Sequence, residues 1–372
     1  MKIGLLSPYF SHNYGTVLQA FALENYLKSK GHKCEYIQYC LFKNFFEKLF
    51  FIVLHPLYLF KYYKNKKQNS KALKYAYLST EDYSQILVKN KRFCEQFITI
   101  SPRRSSYFNA KGLNSDYELF IVGSDQTWSP EIIYNYSVFF LPFVESSAKK
   151  ASYACSFGTS NIDFQYKKFL RKSLSSFKYV SCRDKKNADM LTSLLQKTVT
   201  NVIDPTLLLN KEDWSKFMKT VDMPPKYILC YILGEKQCIT EYANKIAKEK
   251  GLPVYHILTR PCHENNPNVL KGIGCQEFLY LIANCELLVT DSFHGTIFSI
   301  NFQKNFVSFD KYVGASYDNG RLADVLKEFN LLDHYHIDTD FSYPSEIDYN
   351  KINSILETKR KDSIQYLQKV LL

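Results

Sequence analysis

Residues 2–39, KIGLLSPYFSHNYGTVLQAFALENYLKSKGHKCEYIQY, decide the architecture. KIGLL (2–6) is a short apolar run bounded by a Ser-Pro turn, which is the pattern of a buried strand. Val17, Leu18, Phe21, Ala22, Tyr26 and Leu27 then recur at helical spacing, and Gly31 supplies a stop. CEYIQY (34–39) follows as a second strand. Strand, crossover helix and strand form a β-α-β unit, which commits the two strands to parallel pairing.

The alternation continues outward. ELFIVGSD (118–125), ASYACSFG (151–158) and YVSCRD (179–184) are apolar strands ending in polar turns, and the helix DKKNADMLTSLLQ leads to the strand TNVID (200–204). The tract from Asp213 to Pro225 reads as a hinge. After it KYILCYILG (226–234) opens a second series, with the helices ITEYANKIAKEKG and CQEFLYLIANC and the strands PVYHIL and ELLVTD. A polar helix, INSILETKRKDSIQYLQKVL, closes the chain. The expectation is α/β, with doubly wound domains at 1–215 and 225–345 and a terminal helix at 346–372. Sites in such folds gather at the carboxyl ends of the strands, here in the cleft between the halves.

The 372 residues are 46% hydrophobic and 23% charged, a globular composition of the length of two ordinary domains. Ten cysteines include no C-x-x-C pair and sit mostly in apolar runs, as reduced, buried residues do. The N-terminus has no secretory pattern and no run of 18 apolar residues occurs, so a cytoplasmic location is expected.

With 48 Lys+Arg against 36 Asp+Glu the net charge is +12. Residues 41–78 hold eight lysines and one acid, Glu47, around the apolar run LFFIVLHPLYLF. That insert carries +7 and leaves about +5 elsewhere, so the charge does not read as a nucleic-acid groove. It suits a peripheral contact with the inner face of a membrane; the plainer alternative is a basic, solvated hairpin.

VTDSFHGT (289–296) is the sharpest candidate for chemistry. A strand delivers Asp291, Ser292, Phe293, His294, Gly295 and Thr296 to a helix start, where backbone N–H groups attract anions. His294 there can act as acid or base. Asn13, Tyr14 and Gly15 hold the equivalent place after the first strand, without the glycines of a dinucleotide fingerprint. Asp125 and Gln126, with Trp128 behind them, offer a carboxylate, an amide and an aromatic platform for a sugar. Arg183 offers bidentate anion recognition, or an ion pair with Asp184 or Asp204. Arg321 is a weaker candidate, and His334 and His336 lack the partners of a metal site.

NYGTVLQAFAL, FIVGSDQTW, SYACSFG, SCRDKKNADML, VIDPTLLL and EFLYLIANCELLVTDSFHGTIFSINF together resemble the polysaccharide pyruvyl transferase family, over about residues 2 to 332. The resemblance implies a GT-B-like fold, two Rossmann-like domains facing a central cleft, with the acceptor on the N-terminal side and the donor on the C-terminal side. It implies phosphoenolpyruvate as donor, a saccharide (free or lipid-linked) as acceptor, a pyruvate ketal as product, and no metal or organic cofactor. His294 matches the family's acid/base histidine and Arg183 its donor-binding arginine. In members with a D-R-L-H-G run an arginine stands two residues before the histidine. Ser292 stands there in this chain, so Arg321, Lys304 or Lys311 must supply any replacement charge. The alternatives are a GT-B glycosyltransferase using a nucleotide sugar and a non-catalytic saccharide-binding protein. The former usually has a glutamate about where Phe298 or Ser299 stands.

Overall fold

The computed structural model describes residues 1–54, 80–130, 137–159, 162–234, 237–259, 268–313, 316–317, 321–336 and 345–372. The insert expected at 41–78 is therefore described only to residue 54, and its remainder lies outside the described residues.

The first β-α-β unit forms as its sequence predicts. β1 (Lys2–Leu6) is followed by α1 (Tyr14–Ser29) and then β2 (Lys33–Tyr36), which pairs parallel to β1. Two short strands, β3 (Tyr39–Cys40) and β4 (Ser105–Ser106), pair parallel beside them, with helices α2 (Phe45–Leu54) and α3 (Thr80–Phe97) between. β5 (Leu119–Val122) and β6 (Lys150–Ser152) complete a parallel sheet of order β2-β1-β5-β6. Bridges from Ala151 to Tyr179 and from Cys155 to Cys182 extend it towards β7 (Ser181–Cys182) and β8 (Thr200–Asn201). Helices α4 (Phe164–Leu174) and α5 (Lys185–Leu195) lie between those later strands.

The second sheet has the order β11-β10-β9-β12-β13-β16, all parallel. Its strands are β9 (Ile228–Tyr231), β10 (Val254–Ile257), β11 (Val269–Leu270), β12 (Leu287–Thr290), β13 (Asn305–Phe309) and β16 (Tyr335–His336). Helix α7 (Gln237–Lys250) links β9 to β10, and numbered within the sheet the order is 3-2-1-4-5-6, the dinucleotide-fold order, with the switch point between β9 and β12. The pair β14 (Tyr312–Val313) and β15 (Ser316–Tyr317) follows β13. Two Rossmann-like parallel-sheet domains thus face a cleft, the GT-B-like arrangement.

Two sequence expectations change. The hinge tract opens on a short helix, α6 (Lys211–Ser215), held by a capping box between Asn210 and Asp213. Trp214 on it is fully buried and packs against Phe21 of one domain and Phe298 of the other. One apolar core runs through both domains, from Ile3 and Val17 to Phe278, Phe298 and Leu367. An apolar joint of this kind restrains free rotation of the domains. The terminal helix, read as polar, is α11 (Tyr349–Val370), and it works as a strap. It buries Ile352, Leu356, Tyr366, Leu367 and Val370, and Tyr366 donates to the Ser152 carbonyl of the first domain at 2.7 Å.

Candidate active site

The cleft is built where two helix starts meet. Asn13 caps α1, its Oδ1 accepting the Gly15 N–H at 3.0 Å. Ser292 caps α9 (Phe293–Phe302), its Oγ accepting the Gly295 N–H at 3.3 Å. Helix α8 (Cys275–Asn284) precedes β12 and presses Phe278 on Tyr14, with ring centroids 4.5 Å apart. Gly15 touches the imidazole directly: a Cβ there would lie 2.1 Å from Nδ1 of His294. A glycine is needed at that place because any side chain would enter the ring. Gly295 allows a second close approach, since its Cβ would lie 2.8 Å from Thr290 Oγ1.

His294 is buried, and its Nε2 faces Asp204 Oδ2 at 3.7 Å, with no hydrogen-bond partner among the described residues. That separation exceeds a hydrogen bond and is a charge approach. The same Oδ2 accepts from Arg183 Nη1 at 2.8 Å and from Ser124 Oγ at 3.0 Å. Oδ1 accepts from the N–H and hydroxyl of Thr206 at 3.0 and 2.8 Å. Burial by itself would push the Asp204 carboxyl up, but the His294 ring and the Arg183 guanidinium outweigh it. They hold Asp204 far below the usual carboxylate range, so it is ionised. Burial also opposes the Arg183 charge and is outweighed by Asp204 and Asp184. The Arg183 guanidinium lies 3.9 Å from the centre of the Phe293 ring, and its Nε has no hydrogen-bond partner among the described residues.

Asn13, Asp125, Gln126, Arg183, Leu233, Asp291, Ser292, Phe293, His294, Lys311 and Leu322 line a cleft of about 600 Å3, open to solvent. Asp125 has φ +75°, an uncommon conformation for a residue with a side chain. Its carboxylate accepts the Thr16 hydroxyl and the Gln126 N–H, both at 2.8 Å. Asp291 instead secures the turn after β9, accepting the N–H groups of Leu233 and Gly234 at 2.6 and 2.5 Å. On the rim, Tyr83 OH lies 3.3 Å from His12 Nδ1, and burial together with nearby Lys311 pushes the His12 ring below its ordinary value.

Some sequence candidates fall elsewhere. Trp128 is fully buried against Phe140, Phe157 and Phe177, and its Nε1 donates to the Phe139 carbonyl at 3.1 Å. It presents no platform to a sugar; the apolar side of the sheet captured the indole. Tyr14 lies in the interdomain core between Phe278 and Tyr231. Thr296 is buried and bonded to the Ser292 carbonyl and Ser308. Lys304 follows the far end of α9, whereas Lys311 lines the cleft. Arg321 opens helix α10 (Arg321–Glu328), and its side chain lies outside the described residues. His334 and His336 pack on Phe306 and Phe309. Among the described residues no cluster of three or more His, Cys, Asp or Glu is placed to hold a metal ion.

Asp204 was legible only as a partner for Arg183, not as the group that also faces the histidine. Its one sequence signal was an acid at a strand end before Pro-Thr, in VIDPT.

The polysaccharide pyruvyl transferase family model matches residues 13–310, a span that contains both helix starts and every described residue lining the cleft except Leu322 and Lys311. The chain belongs to the polysaccharide pyruvyl transferase family. It is a transferase, and the family implies a saccharide acceptor. No curated protein matches it. Among solved structures it is similar to UDP-GlcNAc 2-epimerase from Methanocaldococcus jannaschii. That match has 11% identity and a TM-score of 0.48, covering 96% of this chain and 92% of the other. A putative UDP-N-acetylglucosamine 2-epimerase from Listeria monocytogenes matches at 9% identity and a TM-score of 0.49, covering 95% and 94%. Among the described residues, no helix of this family member is long and apolar enough to cross a membrane.

Proposed function

We propose that the cleft transfers the pyruvyl group of phosphoenolpyruvate to two hydroxyls of a surface-polysaccharide or lipid-linked saccharide, with His294 as general acid/base. The observation that carries the reading is His294 at the start of α9, backed by ionised Asp204 and pressed against Gly15 at the start of α1. Phosphoenolpyruvate brings a phosphate and a carboxylate. Lys311, Arg183 and two helix N-termini are the complementary groups at the cleft.

With Nε2 turned to Asp204, Nδ1 is the ring nitrogen left for proton transfer. Delivery of a proton to the methylene carbon makes it a methyl group and leaves C2 electrophilic. One sugar hydroxyl adds to C2 and releases its proton. The C2–O bond to phosphate then breaks, phosphate carries the electron pair away, and the second hydroxyl adds with loss of its proton. Asp125, with its carboxylate at the cleft, is the residue to accept a hydroxyl proton or hold the acceptor. Ser292 supplies a helix cap where an arginine would supply charge, and Lys311, after the neighbouring strand β13, takes over that charge. The route as proposed uses no metal or organic cofactor.

We also propose that the acceptor is met at the inner face of the membrane. A donor screen tests the reaction: purified chain receives phosphoenolpyruvate, UDP-sugars or GDP-sugars, each with saccharide acceptors. Phosphate release that needs both phosphoenolpyruvate and acceptor supports it. Nucleotide release alone assigns the chain to glycosyl transfer instead, and acceptor binding without any release assigns it to saccharide binding.

A further inference from the structure

We propose that α2 is a membrane-docking helix that lays its apolar face on an anionic lipid bilayer. The helix has its amphipathicity reversed. Phe45, Phe46, Leu49, Phe50 and Val53 are 71%, 79%, 51%, 57% and 69% exposed, respectively. At a helical advance of about 100° per residue these five side chains share one face spanning about 140°. Phe51, on the opposite side, is the buried anchor. It packs edge-on against Tyr107 and Phe42, with ring centroids 5.0 and 5.1 Å away. A helix in an ordinary soluble protein turns its apolar face inward; this one turns it outward, and beside the Phe51 anchor Phe50 touches Phe108 with ring centroids 5.5 Å apart.

The charge around the face selects the partner. Lys43 and Lys48 are exposed on the helix and just before it, and Arg103 and Arg104 are exposed on the segment that carries Tyr107 and Phe108. Glu47, the only acid between residues 41 and 79, is occupied by accepting the Lys43 N–H at 2.7 Å. A contiguous apolar strip with a basic margin matches the acyl boundary and the anionic headgroups of a bilayer, where flat-lying amphipathic helices bind. At about 1.5 Å per residue α2 is about 15 Å long, too short to span but sufficient to lie in the interface.

The chain returns as α3, where Tyr83 meets His12 and Asn90 Nδ2 donates to the Ser11 carbonyl at 3.0 Å. Lys89 on the same helix pairs with Glu277 of the second domain at 2.9 Å. Helix α3 therefore supports the loop that opens α1. The proposal rests on the pyruvyl-transfer reading for its purpose, delivery to a lipid-linked acceptor, and not for its test.

The test is flotation of the full chain with vesicles of phosphatidylcholine containing phosphatidylglycerol, against phosphatidylcholine alone. The expected result is flotation with the anionic vesicles, a loss of roughly tenfold or more in bound fraction at high salt, and a similar loss in Phe46→Ser/Phe50→Ser. Phe46→Trp keeps the face apolar and reports directly, with its emission shifting to the blue on adding anionic vesicles. Turnover of a soluble saccharide acceptor should be unchanged in Phe46→Ser/Phe50→Ser, which separates failure of docking from failure of the reaction. Absence of flotation, or equal flotation with neutral vesicles, overturns the proposal. A lipid-free dimer that the double variant turns into a monomer also overturns it, since the face would then be covered by a second copy.

Discussion

Gly15 and His294 come from opposite domains and touch, leaving no room for a Cβ between α1 and the imidazole. The position of the histidine therefore depends on the closed approach of two helix starts, and the smallest change at Gly15 should be felt at the reacting centre. Gly15→Ala should lower stability by about 1–3 kcal/mol through overpacking. It should lower kcat more than it raises the donor KM, because the ring is displaced while the charged groups of the cleft remain. Thermal unfolding and steady-state kinetics on the same preparation check both.

Asp204→Asn removes the charge that faces both Arg183 and His294. Breaking a buried pair by deleting one partner costs about 3–5 kcal/mol, because the other charge stays buried. The folded-state Asp204 carboxyl is depressed, so its contribution is present in full above the ordinary unfolded value of about 4 and is lost progressively as pH falls below it. The difference in Tm between Asp204→Asn and the unmodified chain should therefore be constant near neutrality and narrow on acidification. A gap that widens on acidification has the wrong sign.

His294→Gln keeps a polar side chain at the cleft and removes the titratable ring. The expected loss is about 100- to 10,000-fold in kcat, the usual scale for a general acid. Binding of phosphoenolpyruvate, followed by calorimetry, should change little.

On the proposed reading Lys311, which lines the cleft, carries the charge that Ser292 lacks. Lys311→Gln should raise the donor KM by about ten- to a hundredfold, the scale of one charge-assisted hydrogen bond. Lys311→Arg should restore most of it, and Lys304→Gln, beyond the far end of α9, should be silent in the same assay.

Much of this was readable in the residues, for stated reasons. Both helix starts follow apolar strands and carry a cap residue and a glycine, so local chemistry alone put Asn13, Gly15, Ser292 and His294 at strand ends. The parallel sheets followed from the same alternation. What the chain did not disclose is what long-range packing decides. Trp128 sits one turn from the cleft residue Asp125, and only the fold shows that its indole points into the core. Asp204 meets His294 across the domain boundary, a contact with no local spacing. The terminal helix reads as polar because its buried Ile352, Leu356 and Tyr366 are diluted by lysines on the outer face.

In the proposed reaction His294 protonates the methylene carbon of phosphoenolpyruvate so that saccharide hydroxyls can take C2. Running the complete reaction in deuterated water and following the product by NMR tests it most directly. The predicted result is a saccharide pyruvate ketal whose methyl group carries one solvent-derived deuterium, with one phosphate released per ketal and both lost in His294→Gln. Undiminished ketal formation by His294→Gln, or a product methyl free of solvent deuterium, would contradict it.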